Sequence, residues 1–231
     1  MTQETSTRSK VRGLLVFGVL SACAIGLFGG GFAFRHRIAQ DQAEHIAKQT
    51  REERTAERQV EARIIEIVVK RNPQAAIKDF ADFPAALLTV SAEAGIDFRL
   101  VLAMIDKESE FNPRAVGKAG EIGLMQVMPG TAAALAKNAG WTFVPPSKRR
   151  GDGGYDNLGT LGDPKENIRY GVAYLKDQVR QFGFAPATIL RGYNRGSAAA
   201  REHRPGDRYA EDVALRFVHV SHELAREEVW Q

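Results

Sequence analysis

The chain has a single cysteine, Cys23, so it can form no internal disulfide. Cys23 also lies inside an apolar run, outside the part that reads as a folded domain, which removes thiol catalysis from consideration. Histidine is sparse, at five residues, and only His219 and His222 share a helical ligand spacing. Without the Glu-flanked pattern of a zinc helix they read as a solvated face, and no metal site is expected. Charge of one sign is nearly balanced: 32 basic against 28 acidic residues leave a net +4. No Lys/Arg-rich helix is interleaved with aromatics, so a nucleic-acid partner is excluded. The mild excess suits loose attraction to an acidic polymer or a membrane surface. No segment alternates apolar and polar residues far enough to make a persuasive strand, and the fold class is therefore all-α.

A long uncharged stretch opens the chain. Gly13 to Phe34 carries no charge, with Arg8, Lys10 and Arg12 before it and Arg35, His36 and Arg37 after it. As a helix it reaches across a bilayer core. The expected organisation is a cytoplasmic terminus over 1–12, a transmembrane anchor over 13–34 and a charged stalk or linker over 35–72. A domain over 73–231 follows. Both flanks are basic, so charge leaves the orientation open. A rival reading takes Leu20-Ser21-Ala22-Cys23 as a lipobox with an acylated Cys23. Against it, the residues after Cys23 stay apolar to Phe34. Residues 38–59 alternate acids and bases, suited to i,i+4 pairs but lacking an apolar seam: a solvated helix or loose spacer. Ile64, Ile65, Ile67 and Val68 resume a packing face, and Asn72-Pro73 marks the expected joint with the domain.

Within the domain, helix punctuation is frequent. Pro84 opens a helix to Ala94 that Gly95 stops, and Asp97 caps the next. Thr131 caps a short helix ending near Gly140. Asp163-Pro164-Lys165-Glu166 combines an N-cap, proline at the first helical position and an acid at the third, for a helix to about Phe182. Pro186, Ser197 and Asp207 open the remaining three. Residues 141–162, rich in Gly and Pro, form a long loop with room for a small hairpin, either a wall of a binding groove or a tolerated insertion.

One acid stands out against this pattern. Leu100, Val101, Met104 and Ile105 mark one helical face, and Glu108 falls next on it, in the last turn before Pro113. Burial and the negative end of the helix dipole both disfavour its ionised form, and a carboxyl group kept protonated near neutral pH can serve as a general acid. An acid paired with a nearby Arg, or turned out at the helix end, fits the spacing as well. No second carboxylate is obvious: Glu110 faces away on a helix, and Glu121 falls in the following loop.

Four blocks surround and follow this acid: Glu108-Ser109-Glu110-Phe111-Asn112-Pro113, Gly123-Leu124-Met125-Gln126-Val127-Met128-Pro129-Gly130-Thr131-Ala132, Asn167-Ile168-Arg169-Tyr170-Gly171-Val172-Ala173-Tyr174-Leu175, and Gly192-Tyr193-Asn194-Arg195-Gly196. In this order and spacing, over roughly residues 80–220, they resemble the soluble lytic transglycosylase family, whose catalytic domain has a goose-type lysozyme fold. The resemblance implies a lysozyme-like domain that cleaves the β-1,4 bond between N-acetylmuramic acid and N-acetylglucosamine, needs no metal or organic cofactor, and leaves a 1,6-anhydro end. It implies Glu108 as acid and then base. Ser109 and Asn112 secure the turn, Gln126 and Met128 line the sugar subsites, and Tyr193 and Asn194 sit opposite Glu108. Tyr209 matches a late family tyrosine. For Met128 the bland alternative is a core residue, for Tyr193 a packed aromatic, and for Asn194 a turn.

The chain departs from the family pattern at four places. Gly117 stands where many members carry a serine, Glu121-Ile122 replaces a pair of small residues, and Gly192 replaces alanine. The acid expected before the late tyrosine is shifted to Asp207, which serves equally as an N-cap. The expectation is a membrane-tethered peptidoglycan lytic transglycosylase of the inner membrane. Its domain would face the periplasm, with glycan strands as substrate and an envelope-spanning assembly as a candidate partner. The rivals are a goose-type muramidase, an inactive wall-binding scaffold of a secretion, conjugation or phage apparatus, and an assembly protein acting through its stalk.

Overall fold

The computed structural model describes residues 30–74, 80, 82–183, 185–202 and 207–226. Almost all of the expected 13–34 anchor, and Cys23 with it, lies outside these residues. Among the described residues no helix is long and apolar enough to cross a membrane.

The chain divides into two compact units, Met1–Ala56 and Glu57–Gln231. The first contributes the early part of helix α1 (Gly30–Arg71). From residue 36 to 56 nearly every side chain is exposed, as expected of a polar stalk. Its support is local. Lys48 and Glu52 form an i,i+4 pair at 4.0 Å, and Thr50 and Thr55 donate back to the carbonyls of Ile46 and Arg51. Exposed pairs of this kind add only tenths of a kcal/mol each.

In the second unit the end of α1 buries Ile64, Ile67 and Val68. The packing face expected from the isoleucine cluster is thus present, and this unit begins at Glu57, ahead of the Asn72-Pro73 joint. The helices that follow are α2 (Phe83–Ala94), α3 (Phe98–Ser109), α4 (Pro129–Ala139), α5 (Pro164–Phe182), α6 (Pro186–Arg195), α7 (Ser197–Ala200) and α8 (Arg208–Ala225). Their limits follow the punctuation. The Asp97 side chain accepts from Arg99 N to open α3, and Asp163 accepts from Lys165 N and Glu166 N to open α5. Gly95 and Gly140 close α2 and α4 in the left-handed conformation. Helix α4 corrects one expectation: its N-cap is Met128 and not Thr131. Proline at the first helical position carries a preset φ and lacks an N–H that would have no partner there, so the helix starts at Pro129.

Helix α3 is the buried axis, with Val101 to Ile105 sealed from solvent, and it packs most extensively on α8. Asp106, 3% exposed, carries the charge at the meeting of three elements. Its Oδ2 lies 3.2 Å from Arg71 of α1 and 3.3 Å from Arg216 of α8. No strand occurs among the described residues. Isolated antiparallel bridges, Val116 to Ile122 and Ile122 to Val127, coil residues 115–127 into a tight loop. The long loop after α4 pairs with itself through Ser147 N to Asn157 O, Arg150 N to Gly154 O and Thr160 N to Val144 O, without becoming a regular hairpin. It ends in a 3₁₀ turn, Gly159–Gly162.

Asn167 joins these parts. It is fully buried in the first turn of α5; its amide donates to Ile122 O and Leu161 O and accepts from Met125 N. Gly123, at φ 78°, lets the loop come this close, since a Cβ there would lie 2.2 Å from Asn167 Nδ2. Replacing Asn167 by Ala leaves Met125 N and Leu161 O without partners, while Ile122 O keeps its bond from Val127 N. The expected loss is about 2 kcal/mol, from roughly 1 kcal/mol per group. Urea denaturation of wild type and Asn167→Ala measures it, and a difference below about 1 kcal/mol would show that the loop finds other partners.

Candidate active site

Glu108 occupies the last turn of α3, held by the apolar face that the sequence pattern marks out. Its neighbours on the chain are strained. Glu110 and Phe111 both take positive φ, 50° and 59°, in the left-handed region that side chains disfavour. Phe111 is nevertheless fully buried, and Asn72 donates to its carbonyl at 3.1 Å, so packing and a bond from the residue just past α1 hold the reversal that ends α3.

Tyr209 reaches the carboxyl group. Its hydroxyl donates to Glu108 Oε1 at 2.5 Å, from the first turn of α8. Asp207 sets that turn: its Oδ1 accepts from Tyr209 N and Ala210 N, and its Oδ2 accepts from Arg191 Nε at 2.8 Å. Arg191 also donates to Glu202 O. Burial raises the Asp207 carboxyl, but the Arg191 guanidinium and the two backbone donors outweigh it and hold the group below its usual range. The shifted acid of the sequence is thus an N-cap that positions Tyr209.

Burial pushes Glu108 up to about 7. The Tyr209 hydrogen bond works against this by favouring the carboxylate, the charge of Glu121 adds to it, and Lys107 opposes it. Lys107 is itself paired with Asp212. A group titrating near neutral pH can give up a proton and take one back in a single reaction cycle.

The other candidate residues divide into braces and exposed groups. Ser109 Oγ lies 2.9 Å from the Leu124 carbonyl and 3.2 Å from that of Ile105, tying the loop to the helix end. Gln126, at φ 47°, donates its amide to Gly123 O and Ala115 O, which spends that donor on the loop. Tyr193 donates to Met125 O at 2.8 Å and packs its ring 5.2 Å from that of Tyr174. Burial first, then the charge of Glu108, raises the Tyr193 hydroxyl well above its usual value. Met128 is 42% exposed, so it is no core residue, and Asn194 is exposed in the last turn of α6. A cavity of about 500 Å³ lies elsewhere, between α2, α4 and α5 beside Trp141 and Arg169, and none of these residues lines it. Among the described residues no cluster of His, Cys, Asp or Glu could hold a metal ion.

Residues 88–213, more than half of the chain, match the transglycosylase SLT domain. The chain belongs to this family. Curated SLT relatives include the soluble lytic murein transglycosylase of Escherichia coli K12, 36% identical over 100 residues, 43% of this chain and 14% of that protein. Another is the membrane-bound lytic murein transglycosylase C of Glaesserella parasuis, 35% identical over 117 residues, 48% of this chain and 29% of that protein. The chain therefore spans less than a third of either relative. Among solved structures, an inactive Glu-to-Gln mutant of the lytic transglycosylase Slt from Pseudomonas aeruginosa superposes with a TM-score of 0.50 at 25% identity. That match covers 61% of this chain and 24% of that one.

In this SLT domain the sequence missed the load on Asn167 and Arg191. A polar residue inside an otherwise apolar face, as Asn167 is on α5, was the available signal for the first. Two outcomes follow from the geometry. Tyr209→Phe removes the hydrogen bond that favours the Glu108 carboxylate, so Glu108 titrates above 7 in that variant; a ¹³C-carboxyl NMR titration reads it, and an unchanged or lower value would contradict the role given to Tyr209. The second outcome concerns stability. A group whose folded pKa is raised contributes its full stability below its unfolded value, near 4.5, and loses it as pH rises through about 7. Glu108→Gln has no such loss. The variant is expected to be more stable than wild type above pH 8, by roughly 3 kcal/mol at one pKa unit per 1.36 kcal/mol, with the gap closing toward pH 4. Thermal unfolding across pH 4–9 checks it.

Proposed function

We propose that this chain is a lytic transglycosylase that cleaves peptidoglycan, with Glu108 as its acid and base. The observation that carries the reading is the sheltered Glu108 carboxyl poised at about 7 under Tyr209. The SLT domain and the names of the curated relatives support the substrate.

Protonated Glu108 donates its proton to the glycosidic oxygen between N-acetylmuramic acid and N-acetylglucosamine. As the C1–O bond breaks, the 2-acetamido oxygen of the muramic residue attacks C1 and holds the positive charge as an oxazolinium ring. The Glu108 carboxylate then takes the proton from that sugar's C6 hydroxyl. O6 attacks C1, the C1–acetamido bond breaks, and the 1,6-anhydro sugar forms with Glu108 reprotonated. No second carboxylate is required, because the substrate supplies both nucleophiles. Tyr209 steadies the carboxylate between the two proton transfers. Tyr193 holds the Met125 backbone that walls the site, while exposed Met128 and Asn194 are available to the glycan. Ser109 and Gln126 bind substrate indirectly, by fixing the loop. The apolar 13–34 segment tethers the domain to the inner membrane, facing the wall, where cutting stays local and serves remodelling or an envelope-spanning assembly.

Full-length protein in detergent, incubated with purified murein, is expected to release muropeptides with anhydro ends, identified by mass. Reducing ends alone would make the enzyme a hydrolase. Glu108→Gln is expected to lower the rate by about 10²–10⁴-fold, the usual range for losing a general acid. Equal clearance by wild type and variant would remove Glu108 from the reaction, and no clearance by either would leave a wall-binding scaffold.

A further inference from the structure

The loop between Val116 and Val127 carries a carboxylate that the proposed reaction does not use. Glu121 lies opposite Gly117, whose N–H donates to Glu121 O at 2.9 Å. The Glu121 side chain folds back over Gly117 into the space that any other residue would fill. A Cβ at 117 would lie 2.0 Å from Glu121 Oε1 and 2.1 Å from its carboxyl carbon. The two departures from the family pattern are therefore one feature: the absent side chain at 117 makes room for the acid at 121.

Glu121 Oε2 is sealed from solvent without a hydrogen-bond partner, and among the described residues no cation pairs with the carboxylate. The nearby cations are engaged elsewhere or exposed. Arg149 donates to the carbonyls of Gly117, Lys118 and Gly153, and Lys118 is exposed. Tyr155 donates to Gly120 O. The loop is fastened beside the catalytic acid through Ser109 to Leu124, and Gln126 braces it internally to Ala115 and Gly123. The side chain as a whole is only partly buried, and a carboxylate without a counter-ion acts on the acids around it.

We propose that Glu121 is a positioning residue for Glu108, a second carboxylate seated in the room left by Gly117 whose charge biases Glu108 toward its proton-donating form. It acts through Glu108 and touches no reacting atom. The groups that face Glu108 are Tyr209 from α8, Tyr193 from α6, Lys107 on its own helix and Glu121 from the loop. Tyr209 and Lys107 favour the carboxylate, and Glu121 opposes them. The pairing gives this chain an acid that stays loaded to higher pH than an otherwise identical site with a small neutral residue at 121.

The inference rests on Glu108 being the acid of the proposed reaction, and its test separates the two. Glu108 is titrated by ¹³C-carboxyl NMR in the full chain, in wild type, Glu121→Gln, Gly117→Ala and the double variant. Glu121→Gln keeps the shape and removes the charge, so the Glu108 midpoint is expected to fall by about half a pH unit. Gly117→Ala forces the Glu121 carboxylate out of its seat and is expected to move the midpoint the same way, with the double variant no lower than Glu121→Gln. On murein, the alkaline limb of kcat moves down with the midpoint while KM is unchanged. If Glu121→Gln folds poorly, Gly117→Ala carries the test, since its backbone is free of the left-handed region. A Glu108 midpoint unmoved by either variant overturns the proposal even if murein is cleaved. Wild type that leaves murein intact overturns the function, and the titration still reports on Glu121.

Discussion

A carboxyl group kept out of water is the constraint on which this domain is organised. Removing water from Glu108 destabilises its charged form, and the single hydrogen bond from Tyr209 only partly restores it. The fold must therefore supply a dry wall without collapsing onto the acid. Residues 115–127 do this as a coil with no regular structure, braced through its own backbone groups. Asn167 takes two of them, Tyr193 a third, and Ser109 a fourth. Each brace spends a polar side chain on a backbone carbonyl or N–H of the loop. Close approach is needed too, and Gly171 allows it: a Cβ there would lie 2.4 Å from Met125 Sδ.

The strain sits where the wall meets the acid. Glu110, Phe111 and Gln126 are the non-glycine residues with positive φ among those described, and all three flank the site. Such conformations cost on the order of 1 kcal/mol or more each and persist only where the surroundings determine them. Here those surroundings are the sealed ring of Phe111 and the two loop contacts of the Gln126 amide. A rigid wall matters to the chemistry, because proton transfer in both directions through one carboxylate needs the donor and both sugar oxygens held in register.

Most helices were legible because their ends are punctuated by local chemistry. Asp97, Asp163 and Asp207 cap through their own side chains, and Gly95 and Gly183 stand just past the ends of α2 and α5. The pattern puts the cap of α4 at Thr131, whereas Pro129 starts the helix behind Met128, a choice that neighbouring propensities alone do not decide. Glu108 was legible from an apolar stripe that continues into an acid. The backbone bonds of Gln126 and Tyr193 were not, because a side chain that could hydrogen-bond a sugar can equally serve a backbone carbonyl. Glu121 and Gly117 were visible as anomalies, but their coupling is a steric fact. Gly192 is similar: a Cβ there would lie 2.4 Å from Gln178 Oε1, so the missing methyl is matched by a buried glutamine on α5.

The helix that precedes the family match is part of the same support. Residues 57–71 lie before residue 88, where the SLT match starts, yet they hold the two helices that carry Glu108 and Tyr209. Lys70 pairs with Glu223 of α8 at 2.9 Å, Arg63 donates to Arg226 O, and Arg71 approaches Asp106 of α3. Asp106 is two residues from Glu108, and Arg216, the other cation near it, is on the helix of Tyr209. A buried carboxylate left with one of two cations is costly, so the three elements are stable only together. Tyr209 and Glu108 meet at 2.5 Å because their helices are referenced to a common charge. The end of α1 therefore belongs to the machinery that sets the acid, and the domain in its functional sense begins well before the motifs that identify it.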